Sequence, residues 1–256
     1  MNAQLFRFRP LRNVLSLVIL SLIASPVQAN EITPSVTTGT QLVDVNQDLY
    51  KQEIQQAVEK GLMSGFPQQQ FRPQQALTRE QLVSVVIELF YKVPLENTNI
   101  PFPTGQIPTL PELPTTVEKN PFPDVDANRW SAAKIQLARE IGFIRGYKDG
   151  LFRPDQAVTR AELMAMLWSV DRYTNELRKW DGREFFGTPE PTNFSDISRH
   201  WAKDTILKMS SNCQAASPLN ETGNAFAPDQ PAKRNYVAAA TVRTLTCLSI
   251  FPPNPS

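Results

Sequence analysis

Phe71 to Leu82 reads FRPQQALTREQL, and Phe152 to Leu163 reads FRPDQAVTRAEL; eight of the twelve positions are identical at a constant offset of 81. The same offset carries Ile54 onto Ile135, Gly61 onto Gly142 and Gly65 onto Gly146. A weaker third copy, FAPDQPAKRNYV, runs from Phe226 to Val237 and matches the second at five of twelve positions. Upstream, Phe122-Pro-Asp124-Val before Trp130 is echoed by Phe194-Ser-Asp196-Ile before Trp201, and by Leu42-Val-Asp44-Val before Leu49. The chain therefore holds three copies of one unit, which is the first thing to establish in any sequence of this kind.

Each copy predicts the same layout. An Asp-containing turn leads into a first helix, expected over 49–60, 130–141 and 201–212, where Ile54, Ala57 and Val58 keep helical spacing, as do Ile135 and Ala138. Gly61 and Gly142 stop the first two of these helices. In repeat two the loop Gly146-Tyr-Lys-Asp149-Gly150 follows, and the Phe-Arg-Pro segment after it is extended, because the residue before proline avoids helix. A second helix is expected over 79–92, 160–172 and 234–247. Leu82 to Ile87 and Leu163 to Trp168 are apolar nearly all round, which suits the centre of a bundle. The reading is all-α, with repeats over 42–93, 122–172 and 194–248. A proline-rich linker over 94–121 predicts an extended connector. A second linker spans 173–193 and a tail spans 249–256.

Residues 1–29 read as a secretory signal peptide: Arg7, Arg9 and Arg12, then an apolar run from Val14 to Ala24, then Val27-Gln28-Ala29. That run is shorter than the ~20 residues that span a bilayer. With 26 basic and 25 acidic residues overall, no whole-chain field draws the protein to nucleic acid. The expected product is exported, to the periplasm or to the cell wall or surface, with no transmembrane span. Export places Cys213 and Cys247, the only cysteines, in an oxidising compartment, so a disulfide is the default. The other readings are buried thiols or a thiol nucleophile paired with His200.

Thr159-Arg160-Ala161-Glu162 and Thr78-Arg79-Glu80-Gln81 fit the helix capping box, which explains the threonine and the Glu or Gln. It does not explain the arginine, whose charge faces the positive end of the helix dipole. Yet Arg79, Arg160 and Arg234 hold this place in all three repeats. A guanidinium at a helix start is a ready anion site. The alternative is an internal salt bridge to Asp44, Asp124 or Asp196. Trp130 and Trp201, taken alone, read as core anchors rather than sugar platforms. His200 reads as an exposed turn residue. A calcium loop at Asp124–Ile135 fails, because Arg129 and Ile135 stand where glycine and glutamate are needed. The sequence shows no zincin, serine-hydrolase, P-loop or C-x-x-C signature, and no cofactor or metal is expected.

The F-x-D-V…W start, the G-Y-x-D-G-x-F-x-P turn and the T-R-A-E element resemble S-layer homology repeats, with repeats one and three degenerate. This resemblance implies a pseudo-threefold helical bundle with three prongs. It also implies non-catalytic attachment to the cell wall through grooves that bind an anionic, often pyruvylated, wall polysaccharide linked to peptidoglycan. By motif position the glycan-binding residues are Arg160 and Trp130, with Arg79, Arg234 and Trp201, while Gly65 and Gly146 let the ligand approach the backbone. Accordingly, Arg160→Ala is expected to cut wall binding while barely moving the melting temperature, and Glu162→Ala the reverse. A groove built on repeat two should be best formed; one built from repeats one and three would be silent. Repeat three departs furthest, with Cys213 at the first glycine position, Ser217 at the second, and no capping box. The competing reading is a structural envelope protein whose repeats dock an outer-envelope protein partner without binding glycan.

Overall fold

A computed structural model describes residues 41–95, 108–178 and 189–249 of the 256. The signal peptide, residues 96–107 of the proline-rich linker, residues 179–188 with Trp180, Phe185 and Phe186, and most of the tail lie outside the described residues. The all-α expectation holds. Among the described residues there are six α-helices: α1 (Lys51–Glu59), α2 (Arg79–Lys92), α3 (Ala132–Glu140), α4 (Arg160–Leu177), α5 (Lys203–Ser211) and α6 (Arg234–Ser249). Beyond them lie short 3-10 turns and isolated backbone bridges. No helix among the described residues is long and apolar enough to cross a membrane.

The second helices α2, α4 and α6 start at the expected residues because Thr78 and Thr159 cap the first two. Each threonine side chain accepts from the third helical N–H, and Gln81 or Glu162 reaches back to the threonine N–H. These three helices pack on one another in the centre, which buries the nearly continuous apolar surface of Leu82–Phe90 and Leu163–Val170. The first helices do not pair within their own repeats. Helix α3 packs against α2, α5 against α4, and α1 closes on α6. Each helix pair therefore draws on two successive repeats, and the last repeat returns to the first.

Backbone hydrogen bonds close the same circle. The N–H of Val158 donates to Leu77 O (2.9 Å), that of Ala232 to Val158 O (2.8 Å), and that of Leu77 to Ala232 O (3.1 Å). These three residues occupy one position in the three repeats. A ring of this kind needs all three copies at once, since any pair alone leaves a buried donor and acceptor unmade.

The described end of the proline-rich linker lies against the helices. Leu110 and Val117 pack on the core, Tyr91 Oη donates to Pro111 O (2.8 Å), and Arg139 donates to Pro121 O. At the far end of the central helices Arg178 donates to Leu248 O (2.6 Å) and to Pro94 O. It thus places a cation where the carbonyl ends of α2 and α6 converge.

Asp171, one turn before Thr174 in α4, is buried, and burial pushes its carboxyl up to about 6 despite Asn175 and Arg178. A carboxyl with a raised folded-state value takes up its proton first in the folded protein. Its stabilising effect is therefore present at low pH and lost as pH rises through about 6. The stability advantage of Asp171→Asn over wild type should be about 2 kcal/mol larger at pH 7.5 than at pH 4.5, measured by urea unfolding.

Candidate functional site at the repeat junctions

The three arginines are built into the seams between repeats. Arg79 Nε donates to Phe152 O (2.9 Å), Arg160 Nε to Phe226 O (2.7 Å), and Arg234 Nε to Phe71 O (2.7 Å). A second nitrogen reaches the carbonyl just before the next repeat's turn: Arg145 O (3.4 Å), Ser217 O (2.7 Å) and Ser64 O (2.7 Å). Each guanidinium also lies on rings of the repeat that receives it: Arg79 on Tyr147 and Phe152, Arg160 on Phe226 and Tyr236, Arg234 on Phe66 and Phe71. The three residues are 4%, 2% and 8% exposed. Helix-start N–H groups are spoken for as well. Those of Arg79 and Glu80 donate to Gln156 and Pro154, those of Arg160 and Ala161 to Gln230 and Pro228, and those of Arg234 and Asn235 to Gln75 and Pro73.

The unexplained arginine is thus answered by a third option. Its partners are the carbonyls of the following repeat, joined in Arg79 alone by a carboxylate, Glu162 (2.7 Å). The aspartates weighed as salt-bridge partners have another task. Asp44, Asp124 and Asp196 each accept two backbone N–H groups, from Phe71 and Arg72, Phe152 and Arg153, and Phe226 and Ala227, at 2.6–2.9 Å. Arg72, Arg153 and Ala227 have φ of 57°, 59° and 56°. The aspartate therefore holds a non-glycine residue in the left-handed region, where it is otherwise disfavoured.

The tryptophans correct the core-anchor reading. Trp130 is 61% exposed and Trp201 67%, with Leu49 at 58% in the same position of repeat one. Anchoring falls to the residue just before. Arg129 bonds Glu80 Oε2 (2.7 Å) and Asp155; His200 Nε2 lies 3.2 Å from Asp229 Oδ1; Asp48 accepts from Asn235 (3.0 Å) and Gln74 (3.1 Å). His200 is accordingly not an exposed turn residue. Its side chain is 11% exposed, and its Nδ1 accepts from Ala202 N at 3.1 Å. Burial pushes the Glu80 carboxyl up, but Arg129, Ser131 and the Trp130 indole outweigh that and hold it below its ordinary range.

Residues that share a repeat in sequence part company in space. Arg79 and Trp130 meet at one junction, because Trp130 leads into α3 and α3 packs on α2. Gly146 joins them there, next to the Arg145 carbonyl. Arg160 belongs with Trp201 and α5, and Arg234 with Gly65 and Leu49. A Cβ on Gly146 would come within 2.9 Å of the Phe122 ring, and one on Gly65 within 3.0 Å of Gln70 O. The close approach that requires these glycines is internal.

Cys213, just after α5, is disulfide-bonded to Cys247 in the last turn of α6, 34 residues on. Its sulfur is therefore not a thiol nucleophile for His200. Repeat three also shifts register by one. Gln214 (φ 51°) takes the left-handed place held by Gly61 and Gly142, and Ser217 matches Ser64 and Arg145. Pro218, not Ser217, then stands at the second glycine position. The arginine sockets were missed in sequence because their acceptors are main-chain carbonyls, which leave no residue-type signal.

Comparison with known proteins bears on these junctions. The family model for the S-layer homology domain matches residues 43–83 and 121–164. The chain is 28% identical over 162 residues, 62% of its length, to cell surface glycoprotein 1 of Acetivibrio thermocellus, covering 6% of that protein. It is 30% identical over 124 residues, 48% of its length, to a cellulosome-anchoring protein of the same organism, covering 26% of it. With the S-layer protein sap of Bacillus anthracis it shares 26% identity over 129 residues, half of this chain and 14% of the relative. The chain thus spans a minor part of each relative.

Proposed function

We propose, for a chain that carries S-layer homology domains at residues 43–83 and 121–164, that it is a non-catalytic attachment module of the cell envelope. In this reading it is exported, and the junctions between its repeats bind an anionic, pyruvylated glycan of the cell wall. The observation that carries the reading is the pair of exposed indoles, Trp130 and Trp201, at one position of successive repeats. Large aromatic rings are ordinarily spent on packing, and two left open at repeat junctions are suited to recognition. The relatives named for cell-surface location, cellulosome anchoring and S-layers support attachment as its purpose.

The test is co-sedimentation with purified sacculi, before and after acid treatment that strips pyruvyl groups and acid-labile glycans. The doubly substituted Trp130→Ala/Trp201→Ala protein should lose at least about 30-fold in affinity, the scale of an aromatic hot-spot residue. Its melting temperature should move little, since exposed side chains contribute little to stability. Undiminished binding by this variant overturns the reading. Binding by wild type that survives stripping points to the alternative, a protein partner in the envelope.

A further inference from the structure

We propose that the last turn of α2, centred on Tyr91, is a receptor for an extended proline-rich segment read at every third residue. The chain's own residues 108–117 fill it in cis, and a proline-rich segment of a partner protein takes it by displacement. This surface is separate from the junction that holds Trp130, since Tyr91 lies twelve residues beyond Arg79 on α2, about 18 Å along the helix.

Prolines recur at 108, 111 and 114, the three-residue period of a polyproline II helix. Burial follows the same period. Pro108, Pro111, Pro114 and Val117 are half-buried, whereas Thr109, Glu112, Leu113, Thr115 and Thr116 are exposed. Leu110 adds a further apolar contact, and both it and Val117 pack on the core. Tyr91 Oη donates to Pro111 O at 2.8 Å, so an aromatic hydroxyl reads a main-chain carbonyl of the segment. Apolar contact at every third residue on an aromatic-lined surface is how polyproline II segments are recognised.

The seat is rigid, and its aromatic pair belongs to repeat one alone. Tyr91 lies 5.5 Å from Phe90, and Phe90 packs edge-on against Phe143 at 5.1 Å and Tyr173 at 5.5 Å. Asp171 and Arg172 take the places of Phe90 and Tyr91 in α4, and Leu245 and Thr246 take them in α6. The aromatic pair thus stands in the one repeat that the proline-rich segment follows. A surface already packed in this way pays little ordering cost when it receives a ligand.

The cis segment is held lightly. Proline has no N–H to give, and between 108 and 119 no main-chain group joins a backbone–backbone hydrogen bond among the described residues. Past Val117 the segment stands off α3 and leaves a cleft of about 610 Å³ lined by Thr116, Glu118, Lys119, Gln136 and Glu140. Glu112 also brings an acid to a surface that already has one. Burial, then Glu112, then Glu88 push the Tyr91 hydroxyl up, and Lys134 at 2.9 Å covers only part of Glu88, which stays 39% exposed. Like charges repel at this range. The favoured occupant is therefore a segment with the same proline spacing and a lysine or arginine at the place of Glu112.

The probe is a fluorescently labelled peptide of residues 108–119, titrated into the full mature chain and followed by anisotropy. Wild type should bind it weakly, because the tethered segment competes at a high effective concentration. Leu110→Ser/Val117→Ser, which loosens the cis segment and leaves the helices untouched, should bind it at least about tenfold more tightly. Adding Tyr91→Phe to that variant should weaken binding about three- to tenfold, the worth of one hydrogen bond. A peptide carrying Glu112→Lys should bind about two- to threefold more tightly than the native one at low salt, with the gain fading as salt rises. Should the double serine variant fail to fold, millimolar peptide added to wild type answers the same question: displacement shifts the Leu110 and Val117 methyl signals in NMR spectra. No saturable binding to the folded serine variant, or no displacement in wild type where that variant does not fold, overturns the receptor and leaves 108–117 a fixed strap. Equal binding of a peptide of the same composition with its proline spacing broken overturns it as well. No gain from the lysine peptide overturns the preference for a basic partner.

Discussion

Arg160→Ala should cost about 3–5 kcal/mol of folding stability, the opposite of the small effect that a surface ligand-binding arginine would give. The residue is 2% exposed and has the largest fully buried side chain among the described residues. Truncation leaves Phe226 O and Ser217 O without donors, each a buried acceptor worth roughly 1–3 kcal/mol when unmade. It also removes a guanidinium 3.6 Å from the Tyr236 centroid and leaves a cavity beneath Phe226. Arg160→Lys should fail nearly as badly, since one ammonium cannot reproduce a planar fork that serves two carbonyls and a ring. Chemical unfolding reads both. A melting temperature within a degree of wild type for Arg160→Ala would mean the socket contributes nothing. Loss of wall binding in such a variant would follow from opening the seam, so the tryptophans are the cleaner probes of contact.

Replacing both Cys213 and Cys247 by serine should cost roughly 3–4 kcal/mol, the chain-entropy value for closing a loop of 34 residues. The loss has a local counterpart. Helices α5 and α6 do not pack on each other, so the disulfide is the covalent tie between the end of α5 and the last turn of α6. Next to it Gln214 sits at φ 51°, where repeats one and two use Gly61 and Gly142, and Ser217 three residues on receives Arg160. A left-handed non-glycine costs about 1 kcal/mol or more, and the cross-link holds it there. Adding Gln214→Gly to the serine variant should therefore recover about 1 kcal/mol in urea unfolding. Recovery of nothing would show that the loop is held by its other contacts, Ala215 N and Ala216 N to Met209 O among them.

Helix positions were legible because they depend on neighbours a few residues away. Thr78 and Thr159 with Gln81 and Glu162 three residues on mark helix starts at Arg79 and Arg160, and the structure has α2 and α4 begin there. Apolar residues nearly all round marked α2 and α4 for the centre, where they lie. Burial of the arginines and exposure of the tryptophans were not legible: the arginines read as an anion site or as salt-bridge partners of Asp44, Asp124 or Asp196, and the tryptophans, taken alone, as core anchors. Residue type predicts burial through the cost of desolvation. That cost is cancelled for Arg160 by two main-chain carbonyls 57 and 66 residues away, which no local pattern announces. Trp130 is displaced outward because Arg129, one residue earlier, is drawn to Glu80 and Asp155, 49 residues upstream and 26 downstream.

The sequence by itself determined that there are three copies of one helical unit, where the second helix of each begins, and which two cysteines are available to pair. Those follow from periodicity, capping and counting, all written along the chain. Only the tertiary structure decided that each first helix joins the preceding repeat, so that Arg160 shares a junction with the helix that Trp201 leads into rather than with the one that follows Trp130. These depend on how the last repeat closes on the first, and a closed ring of contacts is a property of all three copies together.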